Sequence, residues 1–152
     1  MSGPSALEAA QAIRDHHAEL FRGLERRVAA LRAAVQQGTP HEVLLDDALG
    51  FLDAEIIPHA RAEELTLYPA AEAGSAMLLV EAMRAEHRSL VARIDALRSV
   101  ADPIVAVSEA SAVLALFESH LAKENELLLP ALLARPEVSL DQLLAGMHEL
   151  VG

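Results

Sequence analysis

Two segments of the chain carry a histidine followed four residues later by a glutamate. The first is His59-Ala-Arg-Ala-Glu63, the second is His120-Leu-Ala-Lys-Glu124, and a proline follows each histidine after ten residues. Residues four apart lie one turn apart on the same face of an α-helix, so each pair can offer an imidazole and a carboxylate to one metal ion. A single such pair would more often be a surface interaction worth roughly 0.2–0.5 kcal/mol. The duplication favours metal ligands.

Two further histidines recur in the same order. His17 precedes Leu20 by three residues, as His87 precedes Leu90. The chain is thus a weak tandem repeat of a helix with one inward histidine and a helix with the His-x-x-x-Glu pair. A bundle would bring these side chains around one axis, as in proteins that hold two metal ions between helices. The predicted metal ligands are His17, His59, Glu63, His87, His120 and Glu124, and no catalytic residue is predicted beyond them.

Neighbouring residues compete for two of these positions. His16 and His17 point about 100° apart on a helix, so only one can face the site, and the register with Leu20 favours His17. Glu63 and Glu64 pose the same choice, which the four-residue spacing decides for Glu63. The residues predicted to lie around the metals are His16, Glu64, Tyr68 and Met83. The sequence leaves open whether free metal positions hold water or a side chain such as Tyr68 or Glu64.

Composition narrows the class of protein. The 152 residues include 23 acidic and 12 basic side chains, for a net charge of −11, which argues against nucleic acid and anionic membranes as partners. The absence of cysteine excludes disulfides, thiol catalysis and zinc-thiolate sites. Four imidazoles and two carboxylates suit iron, with manganese or zinc as alternatives. Only 3% of residues are aromatic, so a core of Leu, Ala and Val favours packed helices.

Helix-start and helix-stop signals predict four long helices and a short fifth. Ser5 with Glu8, and Thr39 with Glu42, match the capping-box pattern, while Asp102 and Ser139 precede later helices. The predicted helices cover about 5–37, 39–67, 75–100, 102–133 and 139–150. Short connections favour an all-α, up-down-up-down four-helix bundle within a single domain over 1–152, with the bundle at about 5–134. Pro58 lies inside the second helix and predicts a kink at His59.

The combined order of residues resembles the hemerythrin-like, HHE cation-binding domains. It comprises a histidine, a His-x-x-x-Glu followed by Leu-Tyr-Pro, a Glu-His, and a second His-x-x-x-Glu, from about Ala12 to Leu133. The resemblance implies a non-haem diiron site, with two oxo- or hydroxo-bridged iron ions. It implies that Glu63 and Glu124 bridge the irons and that the four histidines are terminal ligands. It also implies roles in dioxygen binding, in sensing oxygen or nitric oxide, in peroxide turnover, or in repair of iron–sulfur centres.

The chain departs from the oxygen-carrying members of that family. Those proteins place two histidines one turn apart on the third helix, whereas here Met83 and Val91 flank His87. The four-His, two-Glu set looks more like the bacterial di-iron repair proteins, without their cysteine-bearing segment. Fewer terminal ligands leave open positions, so we expect redox reaction with peroxide, dioxygen or nitric oxide rather than reversible dioxygen carriage.

Two alternatives stand beside a peroxide- or nitric oxide-reactive oxidoreductase. One is a non-enzymatic module that stores iron, or senses iron, dioxygen or nitric oxide, and acts through a partner protein. The other is a plain helical bundle for protein association, with incidental histidines. For any of these functions, the sequence leaves open whether the chain forms a homodimer.

The N-terminus lacks a basic region ahead of an apolar stretch, and no run approaches the roughly 18–20 uncharged residues of a membrane span. We therefore expect a cytoplasmic protein.

Overall fold

The computed structural model describes residues 4–151, and these residues form helices and connecting turns without a β-strand. The all-α fold class is therefore confirmed, while the up-and-down order of the helices stays a prediction. The elements are α1 (Pro4–Gln36), α2 (Glu42–Phe51), a first π-helical turn (Leu52–Ile56), α3 (Ile57–Leu65), α4 (Leu67–Glu72), α5 (Met77–Leu97), α6 (Pro103–Lys123), a second π-helical turn (Glu124–Leu128), α7 (Leu129–Leu133) and α8 (Leu140–Val151).

The helices enclose two apolar clusters of buried side chains. α1 packs against α2 and α6, α5 packs against α6, and α8 covers α1 and α3. One cluster includes Leu24, Ile94 and Phe117, and the other includes Ile13 and Met83. Along α1 and α5, the predicted ligands His17 and His87 separate residues of one cluster from residues of the other. The polar site is therefore placed between two apolar regions of the bundle.

Helix starts agree with the capping predictions at two positions and disagree at two others. Asp102 Oδ1 accepts hydrogen bonds from the amides of Ile104 and Val105, at 2.8 and 3.0 Å, and Ser139 Oγ accepts from the Gln142 amide at 3.4 Å. Both caps are confirmed.

The predicted capping boxes at Ser5 and Thr39 are wrong. Ser5 lies inside α1, where its hydroxyl donates to Asp141 of α8. The Thr39 amide and hydroxyl both donate to the Ala34 carbonyl, at 2.9 and 3.1 Å. Thr39 therefore completes the end of α1, after Gly38 has turned the chain with a φ of 69°, instead of starting α2.

A π-helical turn precedes a proline in each of the two segments that carry a His-x-x-x-Glu pair. The first turn ends at Ile56, two residues before Pro58, and the second ends at Leu128, two residues before Pro130. Proline has no amide hydrogen and its ring collides with the carbonyl four residues earlier, and a wider turn removes that collision. In place of the kink predicted at His59, the chain forms a π-helical turn that ends at Ile56, and Pro58 occupies the first turn of α3.

The second predicted helix also breaks at Thr66. Thr66 has φ −125° and ψ −74°, outside the α-helical region, and its hydroxyl donates to the Ala62 carbonyl at 2.6 Å. The chain restarts as α4, in which Leu67 and Tyr68 are buried. The predicted helix ends near this position, at about residue 67, but the restart as α4 was not predicted, and α4 carries the single tyrosine of the chain, which is buried in the bundle.

One helix of the described residues, Pro103–Leu133, is long and apolar enough to cross a membrane by length and composition. This segment comprises α6, the second π-helical turn and α7. The sequence predicted no span, because no run in this segment approaches the roughly 18–20 uncharged residues that a span needs. Core helices of soluble proteins share this length and composition, and Phe117 and Leu121 of this segment are buried within the bundle.

Candidate metal centre

The structure brings all six predicted ligands together in the interior of the bundle. None of them is more than 4% exposed. They come from five elements: His17 from α1, His59 and Glu63 from α3, His87 from α5, His120 from α6 and Glu124 from the second π-helical turn. Such burial of ionisable side chains is rare unless they are paired or bind a metal.

Their nitrogen and oxygen atoms form two overlapping groups, within each of which all ligand atoms lie within 4.8 Å of one another. We call His17, His59 and Glu63 the His17 pocket. We call Glu63, His87, His120 and Glu124 the His87 pocket. Glu63 belongs to both pockets, and Glu124 Oε1 lies 3.8 Å from His17 Nε2. The two carboxylates thus lie between two pairs of histidines.

The imidazoles approach the carboxylates through their Nε2 atoms. Glu63 Oε1 lies 2.6 Å from His59 Nε2 and 3.2 Å from His17 Nε2. Glu63 Oε2 lies 3.6 Å from His87 Nε2. Glu124 Oε1 lies 3.5 Å from His120 Nε2. Both oxygens of Glu63 therefore face a histidine, one in each pocket.

Two buried atoms of the cluster have no hydrogen-bond partner among the residues that the structure describes. They are His59 Nε2 and Glu124 Oε1. The close approach of His59 Nε2 to Glu63 therefore lacks hydrogen-bond geometry. An unsatisfied buried polar atom costs about 1–3 kcal/mol, and a cation bound by each of these atoms in its own pocket would remove that cost. The donor set accordingly fits metal ions in both pockets.

The opposite ring nitrogens of three histidines are held by polar side chains. These contacts are His17 Nδ1 to Asn125 Oδ1 at 2.6 Å, His87 Nδ1 to Glu64 Oε1 at 2.8 Å and His120 Nδ1 to Glu86 Oε1 at 3.3 Å. With Nδ1 donating, Nε2 faces the pocket and offers a lone pair to a metal ion once its own proton is displaced, which is the arrangement that metal-ligating histidines use. The prediction that Glu64 lies around the site thus corresponds to a defined contact.

Sequence reasoning missed Asn125 and Glu86. The tandem repeat held a signal for Asn125, which follows Glu124 as Glu64 follows Glu63. Glu86 immediately precedes His87, yet it holds the histidine of the adjacent helix, His120. A helical pattern shows which face a residue occupies but not which neighbouring helix it meets.

Tyr68 lies inside the His87 pocket. Its hydroxyl donates to Glu124 Oε2 at 3.0 Å and lies 3.1 Å from His87 Nε2 and 3.2 Å from His120 Nε2. The side chain is fully buried. The sequence placed Tyr68 near the metals without a role, and the structure places its oxygen where three predicted ligands converge.

The other two residues predicted around the site have more distant positions. Met83 is fully buried one turn before His87 and belongs to the apolar cluster of Ile13 and Tyr68. The His16 ring packs 5.0 Å from the His59 ring, and its Nδ1 lies 3.9 Å from Glu19 on the surface. His16 is thus partly exposed beside His59, whereas His17 is buried in the pocket.

The two carboxylates are driven towards opposite protonation states. Burial favours neutral Glu63, but the charge of His59 and the hydrogen bond from His17 outweigh it and hold the pKa of Glu63 well below its usual range. Burial and the negative charge of Glu63 together raise the pKa of Glu124. Burial likewise opposes charge on His17, yet the hydrogen bond to Glu63 and the charge of Glu124 raise the pKa of His17 to about 9.

The pKa of Tyr68 is raised by burial and by the charges of Glu124 and Glu63. The cluster therefore retains protons on groups that would ligate a metal in deprotonated form. Binding of a cation would displace these protons, as is general for metal sites built from ionisable side chains.

A surface cavity lies beside each pocket. One has a volume of about 360 Å³ between α3 and α5, and its lining includes Arg61, Glu64, His87 and Arg88. The other, of about 280 Å³, lies between α1 and α6 and is lined in part by Arg14, His17 and Asn125. Small molecules could therefore approach either pocket beside the residue that holds its histidine.

Comparison with known families assigns the chain. The hemerythrin HHE cation binding domain matches residues 8–132, so the chain belongs to this family. The match includes all six buried histidine and glutamate residues. Neither the curated proteins nor the solved structures include a significant match.

Proposed function

We propose that this member of the hemerythrin HHE cation-binding family is a cytoplasmic non-haem diiron protein that reacts with dioxygen, peroxide or nitric oxide. The proposal rests on one observation above all: two pairs of buried histidines surround two buried carboxylates. Glu63 belongs to both groups of ligand atoms, and Glu124 of the His87 pocket lies 3.8 Å from His17. Two bound iron ions would supply one-electron redox chemistry and Lewis acidity to a small oxidant.

The two pockets suggest which residues would hold each ion. His17 and His59 would hold one ion, His87 and His120 would hold the other, and Glu63 and Glu124 would contact both. Mixed imidazole and carboxylate ligands suit iron, and manganese remains the alternative for the same reason. Two carboxylates also offset part of the positive charge that two buried divalent ions would bring into a medium of low polarity.

Other side chains control what reaches the ions. Tyr68 offers a hydroxyl that can donate a hydrogen bond or, when deprotonated, act as a further oxygen ligand in the His87 pocket. Ile13 and Met83 are almost fully buried beside the site, and their apolar side chains exclude water from that side. A dry surrounding of this kind strengthens polar interactions with a bound oxidant.

The first test is the metal content of the chain, expressed with iron available and purified without a chelating step. We expect about two irons per chain in the native sequence and loss of iron from the double variant His59→Ala, His120→Ala. The matched control is His148→Ala, because His148 is exposed on α8. Full iron in the double variant, or one metal in the native chain, would contradict the dinuclear site.

Peroxide turnover separates the proposed reaction from the sensing or storage alternative. We expect the iron-loaded chain to consume hydrogen peroxide repeatedly, and the double variant to lose this activity. A chain that loads two irons but consumes at most one equivalent of peroxide would instead support the non-enzymatic alternative. The same preparation can be exposed to nitric oxide and to dioxygen to rank the three oxidants.

A further inference from the structure

The residues that hold the histidines are related by the tandem repeat but differ in charge. Glu64 follows Glu63 and holds His87, whereas Asn125 follows Glu124 and holds His17. Both contacts run from the end of a His-x-x-x-Glu segment to the histidine of a neighbouring helix. One repeat supplies a carboxylate for this contact, and the other supplies a neutral amide.

A second pair of repeat-related positions shows the same contrast. Glu86 precedes His87, and its carboxylate faces His120 Nδ1 at 3.3 Å. His16 precedes His17, and its ring packs against the ring of His59. Both histidines of the His87 pocket thus have a carboxylate at Nδ1. In the His17 pocket, His17 has an amide at Nδ1, and the His59 ring packs against a second imidazole.

Nearby cations reduce this difference only in part. Lys123 Nζ lies 2.5 Å from Glu86 Oε2, and Arg61 and Arg88 line the cavity beside Glu64. The Glu64 carboxylate nevertheless directs Oε1 to His87 at 2.8 Å. On the other side, Arg14 donates to the Asn125 backbone carbonyl at 3.3 Å, which adds positive charge next to the His17 pocket without a carboxylate.

A carboxylate behind a ligating imidazole fixes its orientation and makes it a stronger electron donor, and loss of such a partner typically lowers metal affinity about 10–100-fold. We propose that the two pockets bind metal unequally: the His87 pocket loads first and tightly, and the His17 pocket loads second and exchanges its ion more readily. Glu64 and Glu86 are the positioning residues that create the difference. This inference rests on the proposed function, because it requires that both pockets bind metal.

Titration of the metal-free chain with Co²⁺, monitored by visible absorption against a competing chelator, tests the order of loading. We expect two resolved binding steps in the native chain. His59→Ala should keep the tight step and lose the weak one, and His120→Ala should do the reverse. Two equal steps, or a tight step that survives in His120→Ala, would overturn the inequality while leaving the dinuclear site intact. Absence of Co²⁺ binding in the native chain would overturn the dinuclear site itself.

Variants of the supporting residues test the cause. Glu64→Gln should weaken the tight step about 10–100-fold with the weak step unchanged, and Glu64→Asp should restore part of the affinity. The matched control is Glu81→Gln, which removes the same charge from an exposed position on α5. Equal effects of Glu64→Gln and Glu81→Gln would refute a specific role for Glu64.

The sharpest test exchanges the two supporting groups, so that the carboxylate lies beside His17 and the amide lies beside His87. Asn125→Asp should strengthen the weak step, and the double variant Glu64→Gln, Asn125→Asp should bring the two affinities together or invert their order. A simple loss of folding would weaken both steps and would also lower the helical circular dichroism of the metal-free chain. An Asn125→Asp chain with native helicity and no gain in the second step would contradict the proposal.

Discussion

Removal of the Tyr68 hydroxyl tests the geometry of the His87 pocket directly. Tyr68→Phe conserves the buried ring and deletes one oxygen, which donates to Glu124 Oε2 at 3.0 Å. The other oxygen of Glu124 already has no hydrogen-bond partner among the described residues. The variant would therefore leave a fully buried carboxyl group without the one hydroxyl that satisfies it.

The expected cost follows from that loss. An unsatisfied buried acceptor costs about 1–3 kcal/mol, and an apolar ring of the same shape recovers little of it. For a chain of this length, each kcal/mol corresponds to a shift of about 2–4 °C in the unfolding temperature. We expect the metal-free Tyr68→Phe chain to lose about 1–3 kcal/mol of unfolding free energy in urea, with an unchanged denaturant slope.

A second measurement separates a metal-related role from a structural one. If deprotonated Tyr68 ligates iron in the ferric protein, it would give a visible charge-transfer band, which Tyr68→Phe should abolish while two irons remain. Thr66→Val is the matched control, since it also deletes a hydroxyl, one that donates to the Ala62 carbonyl outside the pockets. A metal-free Tyr68→Phe chain as stable as the native one would refute the hydrogen-bond argument. A visible band that persists would refute the role of Tyr68 as a ligand.

Two further predictions concern positions away from the pockets. Asp102→Ala should lower the unfolding free energy by about 1 kcal/mol, because it removes the side chain that caps α6, and thermal unfolding with no shift would contradict this. The ion pair of Arg98 with Asp53, at 2.6 Å, is partly exposed, so Asp53→Asn should cost less than about 1 kcal/mol at neutral pH. The hydrogen bond from Arg98 holds the pKa of Asp53 below its usual value, so this contribution is present above the ordinary aspartate pKa and is lost as the pH falls through the folded-state pKa. The native and Asp53→Asn chains should therefore converge in stability at acid pH, and a gap that widens there would show that the sign is wrong.

Helical periodicity was sufficient to predict which side chains share a face. The four-residue spacing of His59 with Glu63, and of His120 with Glu124, requires only a regular helix to align the two groups, so the sequence could identify both pairs. Asp102 likewise caps its helix through atoms two and three residues ahead. Contacts of this range depend on local backbone geometry alone.

Local sequence patterns gave a wrong prediction where a residue that resembles a helix start instead belongs to the end of the preceding helix. Thr39 and Glu42 match a capping box, but Thr39 hydrogen-bonds backwards to Ala34 and completes α1. The pattern cannot distinguish the end of one helix from the start of the next when only a few residues separate them. The kink predicted at His59 was also wrong. A π-helical turn before Pro58 removes the collision between the proline ring and the preceding carbonyl, so no kink is needed at the proline.

By itself, then, the sequence was sufficient to single out the six buried histidines and glutamates and to predict that they lie on helices, because both follow from spacing along one chain. It did not predict the π-helical turns, one of which carries Glu124. Only the tertiary structure decided that Glu86 holds His120 and that Tyr68 enters the His87 pocket. Those contacts join residues 34 and 52 positions apart, and they depend on how helices rotate and approach one another. A helical period specifies a face, but the partner across that face is set by packing of the whole bundle.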